Sequence, residues 1–131
     1  MKDSFAFHLA VHQACLRDTR YAREAYRFLC DALDHTVKML GRAESGSRHV
    51  TGQELLAGWR DLAVMQFGPM ATWVMGEWGI HRSEDVGAMV YNLIVLRYFG
   101  KNESDSIDDF SDGVDMEEAL SKPFQSQRKG N

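Results

Sequence analysis

Long hydrophobic runs, cysteine and recognisable catalytic motifs are all scarce in this sequence, and each scarcity excludes something. The longest uncharged apolar stretch, VGAMVYNLIVL, is too short to span a bilayer. The N-terminus MKDSFAF has an acid at position 3 and lacks the apolar segment of a secretory signal. No membrane partner is expected, and the cytoplasm is the expected location. Two cysteines, Cys15 and Cys30, do not make a disulfide framework in a chain of 131 residues; they are expected as reduced, buried small hydrophobes. Nothing matches HExxH, a CxxC pair, a glycine-rich phosphate loop, a nucleophile elbow or a paired-carboxylate motif. There is no internal repeat.

What is present describes an ordinary globular composition, 44% hydrophobic and 26% charged, in a chain long enough for one domain. Net charge is −4, unevenly placed. Residues 1–100 hold 11 basic and 11 acidic side chains, and residues 101–131 hold 4 and 8. A balanced body with an acidic tail argues against a phosphate-binding surface, so no nucleic-acid partner is expected.

Helical periodicity dominates. Ser4 caps a first helix over about 5–16, apolar nearly all round, with Ala6, Ala10, Gln13 and Arg17 as a weak polar strip. Phe5, Phe7, Leu9 and Val11 also alternate as in a strand, but Ala and Gln disfavour that reading and no turn signal interrupts the segment. A second helix, capped by Asp18 or Thr19, carries Ala22, Tyr26, Leu29, Leu33, Val37 and Leu40 as its apolar stripe and stops at Gly41. Its outer face pairs Arg27 with Asp31 and Asp34 with Lys38. GRAESGSRH reads as a loop.

Thr51 and Glu54 form a capping box for a third helix, whose stripe is Leu55, Leu56, Trp59, Leu62, Ala63 and Phe67. Gly68-Pro69 ends it and starts a fourth helix that runs to Trp78, with Gly79 as its stop. Ser83 caps a fifth helix, Glu84 and Asp85 suit the dipole of its first turn, and Val86, Met89, Val90, Leu93 and Ile94 face inward up to Gly100. Residues 101–124 are expected as an acidic strap that docks Ile107, Phe110 and Phe124 and contains a short helix capped by Asp115. Residues 125–131 are expected to be disordered. The expected fold class is mainly α: about five helices in one domain over 1–124.

Candidate sites are few. His8, His12 and Cys15 fall at i, i+4 and i+7, with His8 and Cys15 near the middle of the first helix's apolar arc. A zinc centre there needs a fourth ligand, which Cys30, Asp34 or His35 would have to supply. Core or partner-facing residues explain the spacing without one, so no metal and no cofactor are expected. Arg17, Arg20, Arg23 and Arg27 crowd one region beside Tyr21 and Tyr26, with Arg20, Arg23 and Arg27 sharing a face. Glu24 and Asp31 interleave with them, as on an ordinary solvated face.

MATWVMGEWGIHRSEDVGAMVYNL resembles a helix-turn-helix, but Glu84 and Asp85 stand where a DNA reader meets phosphates. DDFSDGVDMEEA places Asp108, Asp112 and Gly113 as in a calcium loop. Phe110 and Ala119, however, occupy ligand positions of that loop. Trp59, Trp73, Trp78 and Met70 lie in a segment (59–89) rich in large apolar residues. Those left exposed are candidates for an interaction surface, with a homodimer through helices three to five as the expected assembly.

The words HVTGQELL, QFGPMA and WGI…ED…G, within a string running from RYAREAYRFLCDALDHTV to KPF, resemble an uncharacterised family of short bacterial proteins over about residues 20–124. The resemblance implies a complete small bacterial protein and transfers no catalytic residue. His8 and His12 lie outside its words, which weakens the metal reading. The function expected is a non-enzymatic interaction or regulatory module that self-associates. The alternatives are a small enzyme or metal-binding protein using His8, His12, Cys15 or His81, and a winged-helix-like nucleic-acid binder.

Overall fold

The computed structural model describes residues 4–41, 50–99 and Leu120. The expected loop at 41–49 (Gly41 apart), the strap (Leu120 apart) and the tail at 125–131 lie outside the described residues, as does Gly100. The order is α1 (Phe5–Arg17), α2 (Arg23–Met39), α3 (Gly52–Phe67), a 3-10 turn (Gly68–Met70), α4 (Ala71–Glu77) and α5 (Ser83–Val95). The mainly α expectation holds.

Local chemistry sets most of the boundaries. The Phe7 amide donates to Ser4 Oγ (3.1 Å), and the Thr51–Glu54 box is complete, with both reciprocal bonds made at 3.1 and 2.9 Å. The starts of α2, α4 and α5 differ from expectation, α4 beginning at Ala71 after the 3-10 turn that holds Pro69. α2 starts at Arg23 with Ala22 as its cap residue and no capping side chain. Asp18 instead ends α1, its amide donating to the Ala14 carbonyl at 2.8 Å. Ser83 is the first residue of α5 and is fully buried; Asp85 ties down that end instead, as described below.

Two helix ends close in the same way. At α4, Ile80 N–H reaches the Met75 carbonyl and Gly79 N–H that of Gly76, with Gly79 at φ +88°. At α5, Tyr98 N–H reaches Leu93 and Arg97 N–H reaches Ile94, with Arg97 at φ +63°. Both are Schellman closures, and the second places a side chain where glycine is preferred. α5 thus ends before Gly100, because backbone bonding around Arg97 closes it.

The core is built on α2 against α3. The pair runs antiparallel, with Phe28 near Phe67 at one end (5.7 Å) and His35 Nε2 2.7 Å from Asp61 Oδ2 toward the other. Phe28 also packs on Trp59 (4.8 Å) and Trp78 (5.6 Å), which joins α4 to the pair. The helices approach so closely at Gly58 that a Cβ there would overlap the Thr36 hydroxyl. α1 lies antiparallel to α5. Phe7 packs on Tyr98 (5.8 Å) beyond the C-terminal end of α5, while Arg17 bonds Asn92 further back. Leu120 is buried with this core.

The buried face of α1 is not the expected one. Phe7, Ala10, Val11 and Ala14 point inward, so Ala10 leaves the proposed polar strip, while His8 and His12 are exposed and Cys15 is half-buried. An all-round apolar helix has no pattern that tells the two sides apart, and its neighbours decide which is covered.

Candidate functional site

The polar residues that converge lie where the α1–α2 link crosses α5 and the α4–α5 turn. Asp18 receives the Arg20 guanidinium on both oxygens (Nε 2.9 Å, Nη2 2.8 Å), the Arg20 amide at 3.2 Å and Asn92 Nδ2 at 3.0 Å. Asn92, almost fully buried, donates to Tyr26 Oη at 3.0 Å and accepts from Arg17 Nε at 3.4 Å. A few ångströms on, Tyr21 Oη donates to Asp85 Oδ1 at 2.6 Å, and Asp85 Oδ2 accepts the amides of His81 (2.8 Å) and Arg82 (2.9 Å). Arg20 also lies over the Tyr21 ring at 4.9 Å. Thus α1, the link, α2, the α4–α5 turn and α5 are held together by two groups of mostly charge-assisted bonds, joined where Arg20 lies over the Tyr21 ring.

The protons of this cluster are fixed. The Arg20 guanidinium beside Asp18 holds its carboxyl well below the usual carboxylate range, against the opposing effect of burial. Burial, then the bond to Asp85, pushes Tyr21 far above an ordinary phenol. Burial pushes Tyr26 up to about 12, the bond from Asn92 opposing it. Asp18 is thus kept ionised and the two phenols neutral near neutral pH, and their bonds tie the helices together.

An alkaline transition follows. A tyrosine whose folded pKa is raised contributes stability that is fully present below its unfolded value near 10 and is lost as pH rises toward the folded one. With Tyr26 at about 12, it alone should cost roughly 1–2 kcal/mol of stability by pH 11. Denaturant titrations at pH 8 and 11 should show that fall. Replacing Tyr26 with Phe should flatten Tyr26's part of it.

The expected sites disperse. Among the described residues no fourth ligand joins His8, His12 and Cys15, and no group of three or more His, Cys, Asp or Glu side chains is placed to hold a metal ion. Cys15 bonds weakly to the Tyr21 carbonyl at 3.9 Å, and burial raises its thiol, which disfavours the nucleophilic thiolate. Cys15 and Cys30 form no disulfide. His35 is partnered by Asp61, and His81 is exposed. The arginine face is broken up: Arg20 precedes α2 and is spent on Asp18, and Arg17 turns to α5.

The α4–α5 pair does have helix-turn-helix order, but Asp85 is committed to its own turn. Glu84 stands exposed beside it, 3.6 Å from Arg82 Nε. Of the interaction candidates, Trp59 is fully buried and Trp78 half-buried against Phe28 and Phe67, so neither forms an open surface; Trp73 is 61% exposed and Met70 55%. Sequence reasoning missed the Asp18–Asn92 and Tyr21–Asp85 pairs altogether. Each spans more than sixty residues, and no local pattern announces it.

Comparison with known proteins adds nothing to these assignments. No family model, no curated protein and no solved structure matches this chain. Among the described residues, no helix is long and apolar enough to cross a membrane.

Proposed function

We propose that this chain is a non-enzymatic interaction module that associates with itself and works in the cytoplasm. The observation that carries the reading is the set of large apolar side chains standing in solvent on otherwise well-formed helices. Phe5 is 80% exposed, Leu16 70% and Met65 66%, with Trp73 and Met70 close behind. Where such side chains form a contiguous patch they mark an association site, and closed two-fold pairs are the commonest way to cover one. The clustered polar groups support the same view, since each is consumed by a neighbour. Two cysteines that form no disulfide agree with a reducing compartment. Glu84 at the start of α5 and the balanced charge of residues 1–100 speak against a nucleic-acid partner. Membership of the bacterial family suggested by QFGPMA and its companion words belongs to the same proposal.

Sedimentation across a concentration series is the test. The expected species has about twice the 14.9 kDa chain mass and dissociates on dilution. A strict monomer at high micromolar concentration overturns self-association.

A further inference from the structure

The apolar surface on α1 has an order that the other exposed residues lack. Phe5, Leu9 and Leu16 lie half a helical turn away from Phe7, Val11 and Ala14, so the helix buries one apolar ridge and shows another directly opposite. His12, also exposed, completes the outer ridge at positions 5, 9, 12 and 16. The intervals are 4, 3 and 4, a seam of the kind that pairs helices, and they read the same in both directions.

We propose that this ridge is the interface of a homodimer in which α1 of each copy packs antiparallel across a two-fold axis. This rests on the self-association reading above and names its face, α1 in place of helices three to five. A two-fold axis through the midpoint of residues 10 and 11 sets Phe5 of one copy against Leu16 of the other, and Leu9 against His12. Every ridge position then meets a ridge position, the self-complementarity an isologous contact requires.

Charge favours a second copy over a charged partner. α1 contains no acidic residue, and its one full charge, Arg17, is turned to Asn92 and to the Tyr91 ring 5.9 Å away. The ridge therefore neither repels its own copy nor offers an ion pair to a charged protein, and antiparallel pairing also opposes the helix dipoles.

The area is sufficient. Aromatic side chains each bury roughly 150–250 Å². Phe5, Leu9 and Leu16, with Tyr91 and Val95 exposed on neighbouring α5, offer at most about 500 Å² per copy if all are covered, or about 1,000 Å² for the pair, the low end at which weak, dissociable interfaces are found. The face with Met70 and Trp73 is divided between the 3-10 turn and a helix of seven residues and has no such register.

Disulfide trapping tests the register in a Cys15→Ser background. Phe5→Cys and Leu16→Cys chains, mixed and mildly oxidised, should yield a mixed dimer. Phe5→Cys alone should not, because its two copies stand about 16 Å apart along the axis. Leu16→Glu should give monomers with unchanged helicity, and Trp73→Glu should remain dimeric. Efficient Phe5–Phe5 trapping, or a dimeric Leu16→Glu chain, overturns the antiparallel ridge. If Trp73→Glu alone dissociates the protein, self-association stands and this interface is wrong. If the unmodified chain is monomeric throughout, both fail.

Discussion

Gly79→Ala is expected to lose about 2–5 kcal/mol of stability, the sum of a left-handed backbone penalty of about 1–2 and an overpacking cost of about 1–3. Gly79 sits at φ +88° in the turn that closes α4, and a Cβ built on it would run into the Arg20 carbonyl oxygen. That oxygen is backbone, so no side chain can rotate away. The same crossing carries the Ala22 N–H to Trp78 carbonyl bond at 3.1 Å, and Tyr21 and Asp18 depend on the link staying where it is. The loss should therefore spread to the whole polar cluster. A midpoint about 10–15 °C lower by thermal unfolding is the expected reading. Gly76, in the same helix, has open space around it, so Gly76→Ala should be neutral or stabilising by up to about 1 kcal/mol. Equal effects at the two positions would mean that the link does not press on the α4–α5 turn.

Gly58→Ala tests the α2–α3 contact and should cost about 1–2 kcal/mol net, an overpacking cost near the top of about 1–3 less the advantage of about 1 that alanine has as the better helix residue. Its Cβ would overlap Thr36 Oγ1 and come within 2.9 Å of Thr36 Cβ and 3.3 Å of its Cα. The hydroxyl is held by a 2.7 Å bond to the Ala32 carbonyl, so it does not swing aside freely, and the Cα cannot yield without moving α2. Moving the small residue to the other helix, in Gly58→Ala with Thr36→Gly, should recover part of the loss. A coupling of about 1 kcal/mol or more in the double-mutant cycle is expected. Additive losses would show that the two helices are not in steric contact there.

Both glycines were visible in the sequence, yet only Gly79 had a role there. Its place after the periodic residues of α4 marks it as a helix stop, and it is one, because the left-handed turn it makes is a local property. Gly58 sits inside a helical pattern where glycine is merely unfavourable, and its reason is Thr36, twenty-two residues away. The same division runs through the chain. Ser4, the Thr51–Glu54 box and the stripes of α2, α3 and α5 were legible because caps and periodicity act within four or five residues. The Asp18 cap was misassigned since the same carboxylate suits a helix start locally and Arg20 with Asn92 in the folded chain.

By itself, then, the sequence determined that the chain is helical, where most helices begin and end, and that the candidate metal and nucleotide motifs are incomplete. Tertiary structure alone decided which side of α1 is covered, that Trp59 is core while Trp73 is open, and that Asp18, Asn92, Tyr21 and Asp85 form one clamp. The reason is physical. Backbone hydrogen bonds and capping reward neighbours in the chain, whereas a helix that is apolar on every side, or a carboxylate with several suitors, acquires a preferred partner only when distant segments arrive beside it.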